Sequence, residues 1–153
     1  MISDITTVWD VEKSIGDWMQ SDALGGELLN GHDLETAILI SLFTDGLAKS
    51  DDLLDDSDRR GWWGDLDMEF PIGSRLWLLR RQKLTTKVAI KAEDYAKEAL
   101  QWLVKDGAVS SISVDSQIIY PSTLNLIITY QQPGKNQSSV KFSWVWGAVI
   151  DAI

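Results

Sequence analysis

Apolar positions in the chain follow two different periods. Between residues 33 and 107 they recur every three or four residues, and after Gly107 they alternate. Leu34, Ala37, Ile38, Ser41 and Leu42 form one stripe at helical spacing, while Leu39, Ile40 and Phe43 carry apolar character around most of the cylinder. That pattern predicts a centrally buried helix, capped by Asp33 and running to about Ala48. Residues 74–82 predict a second helix, with Ser74 as its cap, Leu76, Leu79 and Trp77 facing inward, and Arg75, Arg80 and Arg81 at its edges. A third covers residues 90–105, where Ala92, Tyr95, Ala96, Ala99, Leu100 and Leu103 fit the i, i+3, i+4 rule and Gly107 supplies a left-handed stop.

The alternating part predicts strands. Ile112 and Val114 share a face within residues 109–115; Leu124, Leu126, Ile128 and Tyr130 share one within 124–130; Val140, Phe142, Trp144 and Trp146 share one within 140–146. Pro133-Gly134-Lys135-Asn136 marks the reversal between the last two. Near the start, residues 5–9 and 17–20 are rich in β-branched or aromatic side chains and read as a hairpin closed around Ser14-Ile15-Gly16. The expected architecture is one α+β domain over residues 1–153, an antiparallel sheet with about three helices between an N-terminal hairpin and C-terminal strands. A chain of this length buries roughly 70% of its unfolded surface, enough for a core without cross-links.

Charge changes the picture. Of 23 acidic and 14 basic side chains, residues 1–70 hold 17 and 4, whereas residues 71–153 hold 6 and 10. No acid lies between Glu69 and Glu93, but Arg75, Arg80, Arg81, Lys83, Lys87 and Lys91 do. Either these cations form a solvated face with ion pairs to the acidic half, or they form a docking surface for an acidic partner. A net charge of −9 repels phosphate at long range, so nucleic acid is not expected as a partner.

Inventory excludes several chemistries. There is no Cys and only one His, His32, so thiol nucleophiles, His-based triads and ordinary zinc ligand sets are not available. No phosphate-cradling glycine motif occurs, and no cofactor is expected. The run 51–58 carries five acids but lacks the Gly and closing Glu of an EF-hand loop. No apolar run approaches the ~20 residues of a membrane helix, and the first residues lack the basic start and apolar stretch of a secretory leader.

Two constellations remain. Asp65, Asp67 and Glu69 alternate, which in an extended segment spaces them about 6.6 Å apart on one side, the separation of an inverting glycosidase pair. Trp62 and Trp63 beside them supply either a dry wall for such a site or ordinary packing. The chain also holds eight tryptophans, more than one small core explains, and indoles concentrate at interface hot spots. Its apolar end, Trp144 to Ile150, reads as a strand that pairs with another chain's sheet edge or closes this chain's own sheet.

Several stretches together resemble a known family: Leu34-Glu35-Thr36-Ala37 running into Ser41-Leu42-Phe43-Thr44-Asp45, Arg59-Arg60-Gly61-Trp62-Trp63-Gly64-Asp65, and Gly73-Ser74-Arg75-Leu76-Trp77-Leu78-Leu79. With residues 95–103 and Asp106-Gly107 following, the chain resembles the Mu-type small baseplate proteins of contractile-tailed phages and prophages, themselves similar to the lysozyme-like wedge and sheath-initiator proteins. The resemblance is strong over residues 33–107 and general at both ends. It implies a structural wedge component, not an enzyme, located in the virion tail baseplate and assembled in the bacterial host cytoplasm. Its implied partners are other wedge proteins, the tail sheath, and the tail tube or spike hub. Arg75, Arg80 and Arg81 correspond to the family's wedge-contact segment, and residues 140–146, with Phe142, Trp144 and Trp146, to a sheath-facing strand. Trp62, Trp63 and Trp77 complete the expected partner-binding set; no metal site is implied.

Overall fold

A computed structural model describes residues 7–10, 15–18, 20, 21, 27, 28, 33–54, 57–61 and 71–145. Strands β1 (Thr7–Asp10) and β2 (Ile15–Trp18) pair antiparallel, as do the short β3 (Gln20–Ser21) and β4 (Glu27–Leu28). Helix α1 (Asp33–Phe43) follows, then a 3-10 turn at Leu76–Leu79, then helix α2 (Thr86–Lys105). The last described residues form a three-stranded antiparallel sheet of order β5-β6-β7, with β5 at Ser111–Ile119, β6 at Thr123–Gln131 and β7 at Gln137–Val145.

The register puts the alternating apolar residues on one face. Val114 opposes Ile128, which opposes Val140; Ile118 opposes Leu124, which opposes Trp144; Leu126 opposes Phe142. A slip of one residue would turn this whole set to solvent. Helix α2 closes over that face with Val88, Ala92, Ala96, Leu100 and Leu103, and α1 completes the core with Ile38, Leu39 and Leu42. The small residues Ala92 and Ala96, both fully buried, let the α2 backbone approach the sheet closely.

The α+β class and the C-terminal antiparallel sheet agree with the sequence reading, but several boundaries do not. Among the described residues two α-helices are present, not about three. Within residues 74–82 only Leu76–Leu79 wind, as a single 3-10 turn, with the Leu78, Arg80 and Gln82 amides donating to the carbonyls three residues back. Leu76 and Leu79, three apart and both buried, fall on one side of such a turn, so 3-10 winding satisfies their burial without a longer helix.

Helix α1 stops at Phe43, short of Ala48. Beyond it the backbone is used elsewhere: the Gly46 amide donates to Ser74 O at 2.8 Å, the Ser74 amide donates to Thr44 O at 2.9 Å, and Asp45 and Ser74 form a parallel bridge. Helix α2 begins earlier than expected because Thr85 caps it, its side chain accepting from the Val88 amide at 3.3 Å. In the N-terminal hairpin, Ile15 and Gly16 lie within β2, opposite Asp10 and Trp9, and not in the reversal.

β5 continues past Asp115 to Ile119, through a stretch where Ser116 and Gln117 interrupt the apolar alternation. Glu93 of α2 explains the continuity, since its Oε1 accepts from both the amide (2.8 Å) and the hydroxyl (2.7 Å) of Ser116. That carboxylate satisfies part of the β5 edge. Trp62, Trp63, Trp146, His32 and the triplet Asp65, Asp67 and Glu69 lie outside the described residues.

Candidate interaction surface

Three of the sequence stretches that carry the family resemblance meet at one corner of the fold. The end of α1 delivers Thr44-Asp45-Gly46, the 3-10 turn delivers Gly73-Ser74-Arg75 and Trp77, and Arg59-Arg60-Gly61 runs beside them. The approach is close enough to demand glycine. At Gly73 φ is +114°, and a Cβ there would lie 2.8 Å from Thr44 O and 2.9 Å from the Gly46 nitrogen.

Arg75 is the hub of this corner. Its Nη1 pairs with Asp52 Oδ1 at 2.8 Å, its Nη2 with Glu98 Oε2 at 2.7 Å, and its guanidinium lies over the Tyr95 ring at 4.3 Å. Burial opposes the charge on Arg75, but the hydrogen bonds and charges of Glu98 and Asp52 outweigh it and hold its pKa above the ordinary arginine value. Asp52 is turned inward, its side chain only 10% exposed, and its other oxygen accepts from the Lys49 amide at 2.7 Å. The acidic loop is therefore closed at its base: the Ala48 amide donates to Arg59 O at 2.9 Å, and the Arg59 guanidinium donates to Lys49 O.

A second arginine–aromatic pair stands beside the first. The Arg60 guanidinium lies 4.4 Å from the Trp77 ring centre and pairs with Asp45, while the Trp77 indole N–H donates to Gly46 O at 2.8 Å. Arg60 holds a left-handed backbone, φ 55°, which costs a non-glycine residue about 1 kcal/mol or more.

The expected partner-binding residues thus occupy different environments. Arg75 is engaged within the chain, and Trp77 is half-buried and bonded through its indole. Arg80 and Arg81 follow the 3-10 turn, Arg81 exposed and Arg80 partly buried. Phe142 and Trp144, 6% and 4% exposed, point into the core. There Trp9 stacks on Phe43 at 3.8 Å, and Phe43 meets Phe142 and Trp144 edge-on. The aromatic face of β7 is therefore taken up by this chain's own packing. Sequence reasoning passed over Asp52, Tyr95 and Glu98 as a ligand set for Arg75; the three-residue spacing of Tyr95 and Glu98, which puts both on one helix face, was the available signal.

The outer edge of β7 is different. No strand pairs with it among the described residues, in contrast to the β5 edge beneath Glu93. The Trp9 indole N–H reaches the Ser143 carbonyl at 2.9 Å. Beside it an open cleft of about 180 Å³ lies between residues 7–9 of β1, Glu35 and Leu39 of α1, and residues 140–143 of β7. Leu39 and Phe142 bring apolar surface to its lining, and Glu35 and Lys141 bring opposite charges. Among the described residues, no group of three or more His, Cys, Asp or Glu is placed to hold a metal ion, and no helix is long and apolar enough to cross a membrane.

Comparison with known proteins extends the resemblance over nearly the whole chain. The family model described as phage protein GP46 matches residues 34–137. The baseplate protein gp46 of Escherichia phage Mu is 39% identical over 150 residues, spanning 97% of this chain and all of that protein. The Mu-like prophage FluMu protein gp46 of Haemophilus influenzae is 37% identical over 147 residues, spanning 95% of this chain and 98% of that protein.

Proposed function

The chain belongs to the phage protein GP46 family, and on that premise we propose that it is a structural component of a phage tail baseplate that works by docking to other virion subunits. The observation that carries this reading is the end-to-end match to a protein named for the baseplate. The finer assignment is a wedge or sheath-initiator role in a contractile tail, with larger wedge proteins on one side, sheath on the other, and tube or spike nearby. It acts without catalysis. The chain is built into the virion after synthesis in the host cytoplasm.

Two features support this finer reading. The Arg75 and Arg60 clusters lock the corner where the helices, the 3-10 turn and the acidic loop meet, giving a rigid body whose surfaces keep their relative positions. Apart from the Ser143 carbonyl, which the Trp9 indole occupies, the outer edge of β7 offers a row of backbone groups along an open cleft, the geometry that accepts a partner strand by edge addition. Lys141 on that strand discourages indiscriminate pairing in the free chain.

Proline scanning of β7 tests the reading. Along an antiparallel strand successive amides point alternately to the neighbouring strand and away, so of Val140→Pro and Lys141→Pro one breaks a bond to β6 and the other removes only an outward donor. The variant that keeps cooperative unfolding is the informative one. Introduced into the phage, it is expected to give tails with tubes but without ordered sheath, seen by electron microscopy. Normal sheathed tails from that variant contradict edge docking, and normal tails after deletion of the gene contradict the baseplate role itself.

A further inference from the structure

The six cations between Glu69 and Glu93 do not form one surface. Arg75 is spent inside the molecule on Asp52 and Glu98, while Lys83, Lys87 and Lys91 are exposed and make no ion pair among the described residues. Lys87 and Lys91 are one turn apart on α2. Continuing along the helix, Asp94 and Glu98 follow at spacings of three and four, so positions 87, 91, 94 and 98 form a single exposed stripe. The stripe is basic at its start and acidic at its end, over about 16 Å of helix.

The acidic end is reinforced from outside the helix. Arg75 bonds Glu98 and Asp52 together, which anchors the acidic loop beside this end of α2 and leaves Asp51 exposed. The same loop holds Leu53 out at 95% exposure, and on the basic side Ile90 is 53% exposed. Lys49 also reaches Glu98, at 3.4 Å, so both Glu98 oxygens are paired within the chain and the acids left for a partner at this end are Asp94 and Asp51. Each end of the stripe therefore carries an excess of one charge sign and one solvent-facing apolar side chain.

A surface with opposite charges at its two ends matches itself after a two-fold rotation perpendicular to the helix. We propose that the outward stripe of α2 docks against the same stripe of a second copy, antiparallel, with Lys87 and Lys91 of each copy facing Asp94 and Asp51 of the other, and Leu53 packing near Ile90. A two-fold contact satisfies both ends at once. The occupant is a second copy because the chain itself supplies the matching charge pattern, in reverse order, on the same face. The inference concerns the isolated protein and stands apart from the baseplate reading.

Sedimentation equilibrium of the full chain, taken to about 0.5 mM, tests it. Wild type is expected to reach a dimer and no larger species. Lys87→Glu/Lys91→Glu makes the stripe wholly acidic and Asp51→Lys/Asp94→Lys makes its exposed acidic end basic; each alone is expected to dissociate at least tenfold more readily. An equimolar mixture of the two variants restores a heterodimer. All four positions are exposed, and unchanged thermal unfolding of each variant confirms an intact fold. A wild type that stays monomeric, a dimer indifferent to both variants, or a mixture that fails to associate overturns the proposal.

Discussion

Arg75 is held on three sides, by Asp52, by Glu98 and by the Tyr95 ring, and these contacts differ in weight. Glu98 is 45% exposed, so its pair is screened by solvent and contributes little; Asp52 is 10% exposed and depends on Arg75 for compensation. Arg75→Ala is expected to lower unfolding free energy by about 2–3 kcal/mol, read from urea denaturation, because it strands the Asp52 carboxylate. Arg75→Lys recovers only part of this, since an ammonium cannot reach two carboxylates and lie flat on a phenol ring together. Leu79 and Leu100, both fully buried, set the scale for packing: either one changed to Ala is expected to cost about 2–5 kcal/mol.

Tyrosine titration gives a second test at this scale. Burial raises the pKa of Tyr95, with Arg75 pulling it down and Asp52 and Glu98 pushing it up. Burial and the charge of Glu35 raise that of Tyr130, against a lowering hydrogen bond with Ser138. Both phenols keep their protons in the folded chain where the unfolded chain has lost them. Their stabilising effect is complete below about pH 10 and is lost as pH rises through the folded values. Denaturation midpoints are expected to fall above that pH, and the Tyr95→Phe/Tyr130→Phe variant flattens the fall. An identical alkaline slope in that variant contradicts the assignment.

At the level of elements, what sequence pattern made legible was whatever burial alone decides. Helix α2 and the alternating apolar residues of β5 to β7 turn one face to the core, and their apolar periods name most of that face. The misplaced boundaries share a different cause. Phe43 ends α1, and residues 76–79 stay a 3-10 turn, because backbone groups of Thr44, Gly46 and Ser74 bond to one another across some thirty residues of chain, which no local period encodes. Similarly, Ser116 is held in β5 by Glu93 from another element. The ligand set of Arg75 was hidden for the same reason: a carboxylate in a charged loop looks solvated until a distant cation is placed beside it.

These tertiary devices make sharp element-scale expectations. Gly73→Ala puts a methyl against the Thr44 carbonyl in a backbone conformation that L residues rarely adopt, and is expected to cost more than about 2 kcal/mol in thermal or urea unfolding. Thr85→Ala removes only the α2 cap bond and is expected to cost about 1 kcal/mol. A larger loss at Thr85 than at Gly73 contradicts the view that the 44–46 and 73–75 crossing is the structural crux of this corner.

For the whole molecule, membership of a baseplate family and the locked corner fit one account, in which rigidity is built inward and recognition is left to edges. Phe142 and Trp144 illustrate the division: both were expected to face partners, and both instead pack against Phe43, leaving the strand that carries them to present its backbone edge. Under the proposed docking role, Arg75 and Arg60 contribute through the shape they hold, so Arg75→Ala in the phage is expected to reduce tail yield in proportion to lost stability.

Cryo-electron microscopy of the assembled phage tail tests this account most directly. It predicts density for this chain within the baseplate, with a strand from a neighbouring subunit continuing the sheet beyond β7. A tail in which the chain is absent, or in which the outer edge of β7 faces open solvent, contradicts it.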